Sequence, residues 1–177
     1  MEIYNNQILD VNASDIINGT VPIPKNIKSI GRNAFMNLSN LKYIIIPKNI
    51  KFVGTGAFKN CINLDVCQFE NQDCLLGTSI FSGCSNLIYI ILPNKLTYLP
   101  AYIFETCSSL TDIMLPDSIF KIEDYAFKNC SSLESLTLPD SIFCINQKQF
   151  KNCKRLKLKF HNHLYSYDDL ECYDELF

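Results

Sequence analysis

Apolar and polar positions in this chain repeat on a beat of 23 residues. Phe35, Phe58, Phe81, Phe104, Phe127 and Phe150 stand one period apart. Three places on, Leu38 is followed at the same step by Cys61, Cys84, Cys107, Cys130 and Cys153. Three further on come Leu41, Leu64, Leu87, Leu110, Leu133 and Leu156. Prolines keep the beat at Pro24, Pro47, Pro93, Pro116 and Pro139, with Glu70 in the vacant slot. Columns held in step from residue 35 to residue 156 define a repeat architecture. One unit cannot bury its apolar edge alone, so neighbouring units stack into a continuous core.

The unit at 127–149, "FKNCSSLESLTLPDSIFCINQKQ", shows what each repeat is built from. Leu136 and Leu138 alternate with polar residues as in a strand. The proline after Leu138 ends the ladder because it has no N–H to donate. Ile142 and Ile145 turn inward from the next face, and a polar stretch leads back to the next aromatic. No unit carries an amphipathic pattern of helix length, so short helical, 3₁₀ or irregular turns are expected for the return. With strands about 4.8 Å apart, about six to seven coils make a rod roughly 30 Å long.

Two regions leave the pattern. Residues 1–17, with "IYNNQILDV", read as an N-terminal cap before repeats at 18–160. Residues 161–177 read as a C-terminal cap or tail, in which Leu170, Tyr173, Leu176 and Phe177 have helical spacing; a short acidic docking tail is the alternative. The last coil is one residue short, so "LKLKF" sends Leu156, Leu158 and Phe160 inward. In the third unit Asp73 stands where other units have Ile27, Ile50, Leu96, Ile119 and Ile142. An unpaired buried carboxylate costs several kcal/mol. The turn is therefore expected to expose Asp73, with Leu75 or Leu76 filling the gap.

Between the inward strand positions lie two outward columns. One runs Thr20, Tyr43, Val66, Tyr89, Asp112, Ser135; the other runs Pro22, Ile45, Gln68, Ile91, Met114, Thr137. A merely solvated face has no need of so many apolar and aromatic side chains. Contiguous exposed apolar surface marks interaction sites, and Tyr and Met are common in them. The expected partner-binding set is Lys42, Tyr43, Ile45, Val66, Gln68, Tyr89, Ile91, Asp112 and Met114. The competing reading assigns these residues to strand propensity and cross-strand packing. Self-association, through this face or end to end, is the other binding alternative.

Composition narrows the classes. The chain is 47% apolar and 19% charged, enough to build a core. A net charge of −2 gives no electrostatic case for nucleic acid or anionic membrane. No segment is apolar enough for membrane insertion. "MEIYNNQILDVNASDIINGT" has neither the basic start nor the apolar run of a secretory leader, which predicts a cytoplasmic location.

The nine cysteines invite a chemical reading, but five of them share a column with Leu38. A position that accepts leucine is a packing position, where cysteine acts as a small hydrophobe with a weak S–H donor. Phe35, Phe58, Phe81, Phe104, Phe127, Phe150, Cys61, Cys84, Cys107, Cys130 and Cys153 are therefore read as a structural ladder. An oxidisable pair of stacked thiols is the alternative. Cys67 falls on an inward strand position, and Cys144 is the expected exposed thiol. The "HNH" at 161–163 reads as a polar exit rather than a metal site. Neither histidine is near a motif nucleophile, and no glycine-rich phosphate loop exists. No catalytic residue, metal or cofactor is expected.

The pattern Leu-x-x-Ile-x-Leu-Pro … Ile-x-x-Ile … Ala-Phe-x-x-Cys-x-x-Leu resembles the BspA-like leucine-rich repeat proteins, also called the Treponema-type repeat. The resemblance spans about 18–160 and is best at 41–63 and 110–155. It implies an α/β repeat solenoid, a right-handed coil with a concave parallel sheet and convex turns. It also implies a non-catalytic protein-interaction or adhesion module with a protein partner, often at a cell surface. A structural or self-assembling surface protein is the alternative, and a thiol-dependent enzyme a distant one.

Overall fold

Stacking the repeats produces a β-solenoid of about seven turns. It is seen in a computed structural model that describes residues 1–173, without the side chains of 171–173. In chain order the strands are β1 (Glu2–Tyr4), β2 (Gln7–Asp10), β3 (Ser29–Ile30), β4 (Tyr43–Ile46), β5 (Phe52–Val53), β6 (Val66–Phe69) and β7 (Leu75–Leu76). They continue with β8 (Tyr89–Ile91), β9 (Tyr98–Leu99), β10 (Lys121–Ile122), β11 (Ser135–Thr137), β12 (Lys157–Phe160) and β13 (His163–Ser166).

Two parallel ladders run along the rod. The long one joins β4, β6 and β8 with Tyr43 opposite Val66 and Val66 opposite Tyr89, one repeat per step. The short one joins β3, β5 and β7, then β9 and β10. Its strands are two residues long, each beginning just past the turn that opens with the repeat proline, or with Glu70 before β7. At each end an antiparallel hairpin closes a ladder. β1–β2 pairs onto β3, and β13 folds back on β12, which lies parallel to β11. Residues 5–6 and 161–162, which link these hairpins, all have positive φ, as a tight two-residue hairpin turn requires. Ser135 faces Lys157, a step of 22, so the short last coil keeps Leu156, Leu158 and Phe160 inside.

Of the return forms expected, the structure adopts irregular hydrogen-bonded turns. Among the described residues the 3₁₀ segments are at the ends, Ala13–Asp15 and Asp168–Tyr173. The reason is conformational. Each central coil places two residues at positive φ, one on the column Asn33, Gly56, Ser79, Tyr102, Tyr125 and one on Asn37, Asn60, Gly83, Thr106, Asn129, Asn152. Left-handed residues break a right-handed helix. Asparagine tolerates that conformation, and its amide also bonds along the stack: Asn60 donates to Asn37 at 3.1 Å and Asn152 to Asn129 at 2.8 Å. At Gly83 a Cβ would collide with the Asn60 side-chain oxygen, so glycine serves both the φ and the space.

The six phenylalanines form one fully buried internal column with successive ring centroids 4.8, 5.6, 5.8, 5.4 and 5.6 Å apart. The third coil departs as expected in exposing Asp73, which pairs with Lys95 at 3.1 Å. The substitute differs: Cys74 takes the vacant core position, while Leu75 points outward. Only the turn rearranges, since Leu75 and Leu76 keep the 23-residue register with Phe52 and Val53. Asn71 is buried and donates to the Ile50 carbonyl, the role Asn49 plays toward Ile27 one coil earlier.

The expected tail helix begins as the 3₁₀ turn at Asp168–Tyr173. The Tyr173 side chain, Leu176 and Phe177 lie outside the described residues.

Candidate interaction surface

The long ladder alternates strictly, so each strand sends one residue in and the next out. Ile44, Cys67 and Ile90 are buried, while Tyr43, Ile45, Gln68, Tyr89 and Ile91 are exposed and Val66 is half-buried. Parallel pairing brings Ile45, Gln68 and Ile91 into one row. A shallow depression of about 440 Å³ lies among Lys42, Tyr43, Ile45, Asp65, Val66 and Gln68. Lys42 and Asp65 give it one charge of each sign. Ile88, also exposed, extends the apolar patch. It lies outside the expected set, on the column Lys42, Asp65, Ile88 just before the strand.

Asp112 and Met114 are exposed, with Met114 at 89%, but they stand on no strand. The long ladder is interrupted between β8 and β11, and nothing in the sequence of 111–116 accounts for it. These two residues are therefore not held in the row that fixes Tyr43 to Ile91.

The ladder cysteines face the core. Each thiol donates to the carbonyl of the phenylalanine one coil back, from Cys61 to Phe35 (3.0 Å), Cys84 to Phe58 (3.1 Å), Cys107 to Phe81 (3.2 Å), Cys130 to Phe104 (3.0 Å) and Cys153 to Phe127 (2.9 Å). Burial pushes the Cys61 and Cys74 thiols from the ordinary 9.0 up to about 12, and raises Cys84, Cys107 and Cys130 as well. A protonated, enclosed thiol is a poor nucleophile. Cys144 is half-exposed and Cys67 is core.

His161 lies in the β12–β13 turn and His163 starts β13, so the two rings do not share a strand face. His163 Nδ1 meets the His161 carbonyl at 2.9 Å. Asp169 accepts from both the N–H and the hydroxyl of Ser166, which lowers its pKa. Among the described residues no cluster suited to a metal ion occurs, and no helix is long and apolar enough to cross a membrane.

A parallel two-ladder solenoid with a buried Phe–Cys column and an apolar strand face defines a leucine-rich-repeat protein. The sequence profile of the BspA type leucine rich repeat region matches residues 17–130 and 99–173, in six copies. The chain belongs to the BspA-type leucine-rich repeat family. Solved structures agree. The leucine rich repeat protein of T. pallidum is 24% identical with a TM-score of 0.74 over 82% of this chain. One from Bacteroides ovatus is 31% identical, with a TM-score of 0.71 over 78%. A leucine rich cell surface protein of Faecalibacterium prausnitzii is 21% identical, with a TM-score of 0.57 over 96%. The alignments span 70%, 35% and 61% of those three chains respectively. No curated protein matches the chain. The family points to a protein-interaction or surface module, and proteins of this fold are generally non-enzymatic.

Proposed function

We propose that the chain is a non-catalytic recognition or adhesion module, repeats at 18–160 between caps at 1–17 and 161–177, that binds a protein partner through the long-ladder face. The observation that carries this reading is the row of Tyr43, Ile45, Tyr89 and Ile91, exposed yet fixed in register by main-chain pairing. Rigid aromatic and aliphatic side chains with a polar rim make a binding hot spot at low entropic cost. Val66 sits between Tyr43 and Tyr89 and Gln68 between Ile45 and Ile91, Lys42 rims them, and Asp112 with Met114 forms a looser margin. A location at a cell surface, as the F. prausnitzii protein's name states for that protein, belongs to the same reading.

The test is selection of protein ligands on the wild-type module, followed by binding to a Tyr43→Ser/Tyr89→Ser/Ile91→Ala variant. Loss of about 2 kcal/mol or more, roughly 30-fold in Kd, is expected. Ligands that bind the variant undiminished would place recognition elsewhere.

A further inference from the structure

The short ladder exposes a second apolar strip. Phe52, Leu75 and Tyr98 project from it, Leu75 at 65% exposure, and the exposed Phe120, just before β10, and Phe143, one repeat on, extend it with rings stacked at 6.3 Å. A strip of this size on a different face of the coil has no part in the recognition surface above. What covers it is written in the charges beside it. At the corner just before the short ladder, one column reads Lys25, Lys48, Asn71, Asn94, Asp117, Asp140 from the first coil to the sixth. The four charged members are exposed. Charge thus passes from positive through neutral to negative along the rod. Lys28 and Lys51 strengthen the basic end, and Asp124 the acidic one. Among the described residues none of Lys25, Lys28, Lys48 and Lys51 has an ion-pair partner within 4.0 Å, nor has Asp117. Near the middle Lys95 is matched internally by Asp73, and in the fifth coil Lys121 is matched by Glu123.

We propose that this strip binds a second copy of the chain, antiparallel and side by side, about a two-fold axis parallel to the strands between the third and fourth coils. That axis lays each column on itself with the coil order reversed. Lys25 then faces Asp140 and Lys48 faces Asp117, each twice by symmetry, because an isologous contact repeats every pair. Both pairs form together because every coil has the same spacing. On the apolar columns Leu75 meets Tyr98 beside the axis. Lys51 meets the face of Phe120 and Phe52 meets the stem of Lys121, both favourable contacts. The parallel arrangement is disfavoured by the same columns, since it sets the basic coils beside the basic coils of the second copy and the acidic beside the acidic. A standard interface of about 800 Å² per partner is about a tenth of the 8987 Å² surface. The dimer leaves both long-ladder faces free, so recognition becomes bivalent.

Sedimentation velocity and light scattering across concentration, at low and physiological salt, test this on the full chain. A monomer–dimer equilibrium weakened by salt is expected. Lys25→Asp/Lys48→Asp and Asp117→Lys/Asp140→Lys should each weaken self-association by about 10- to 1000-fold. Mixed in equal amounts, these two variants should form a heterodimer, and the fourfold charge swap should restore the homodimer. Circular dichroism checks that each variant is folded. A wild type that stays monomeric to its solubility limit overturns the proposal. So does a dimer indifferent to both charge variants, one broken instead by Tyr43→Ser/Tyr89→Ser, or folded variants that fail to pair when mixed.

Discussion

The thiol of Cys107 donates to the main-chain carbonyl of Phe81, 26 residues earlier and one coil below, at 3.2 Å. The same carbonyl accepts the N–H of Cys84 at 3.0 Å, so both of its lone pairs are used. The contact recurs at five successive coils. It explains why the column takes cysteine where leucine would give more apolar volume: each interior coil has a buried carbonyl that a weak donor satisfies. Leu38 stands on the first coil, where the column has no phenylalanine below it.

Cys107→Ala is expected to cost about 1–3 kcal/mol, from the lost sulfur packing and a weakened carbonyl. Cys107→Leu should cost as much by overpacking a site that is fully enclosed. Urea titration measures both. A Leu variant as stable as wild type would show that the hydrogen bond contributes nothing.

The third coil makes a counter-intuitive prediction. Glu70 occupies the proline column, so Glu70→Pro looks like a return to consensus. Yet the Glu70 N–H donates to the Ile46 carbonyl at 2.9 Å, and proline removes that donor. The expected result is destabilisation by about 1 kcal/mol or more. Asn71→Ala, which orphans the Ile50 carbonyl, should cost about 1–3 kcal/mol. An increase in melting temperature for Glu70→Pro would show that the Glu70 N–H bond to Ile46 contributes nothing to this turn.

What was readable in the chain follows from length scale. The 23-residue beat exposed the Phe and Cys columns, because every coil repeats them, and the alternation at 43–46 exposed the outward row. The short ladder was not readable. Phe52–Val53 and its counterparts are too short to show a two-residue period. Asparagine at 37, 60, 129 and 152 was the missed signal: a repeated Asn implies a repeated left-handed turn, which argues against helix in the return. Cys74 lies outside the consensus columns because the turn rearranges locally between Glu70 and Leu75 while the period stays intact.

Tyr102 and Tyr125 test how strain and stacking balance. Both have positive φ, 58° and 62°, in a column where earlier coils use Asn33, Gly56 and Ser79. Their rings stack at 5.1 Å, with the Lys128 ammonium near both and paired to Glu105 at 2.7 Å. Each tyrosine carries about 1–2 kcal/mol of backbone strain; the shared stack returns about 0.5–1.5 kcal/mol. Either Tyr→Asn change alone therefore leaves stability within about 1 kcal/mol. The double variant should be more stable than the two single effects summed, by about the energy of the stack, since that contact is lost once. Additive behaviour in a double-mutant cycle would mean that the stack contributes nothing.

The thiols that burial raises, such as Cys61 and Cys74, also set an alkaline limit. In the unfolded chain they ionise near 9.0, while burial holds Cys61 and Cys74 near 12 in the fold. A folded pKa above the unfolded one means that the folded state binds more protons, so the contribution is intact below about pH 9 and falls as pH rises toward 12. Each such thiol removes about 1.4 kcal/mol per pH unit across that window. With Cys84, Cys107 and Cys130 shifted the same way, stability should fall steeply above pH 9 in reducing buffer. Urea midpoints from pH 7 to pH 11 measure the slope, and Cys107→Ala should make it shallower. A flat profile through pH 11 would mean that the thiols ionise in the folded coil, and the column would then be open to solvent.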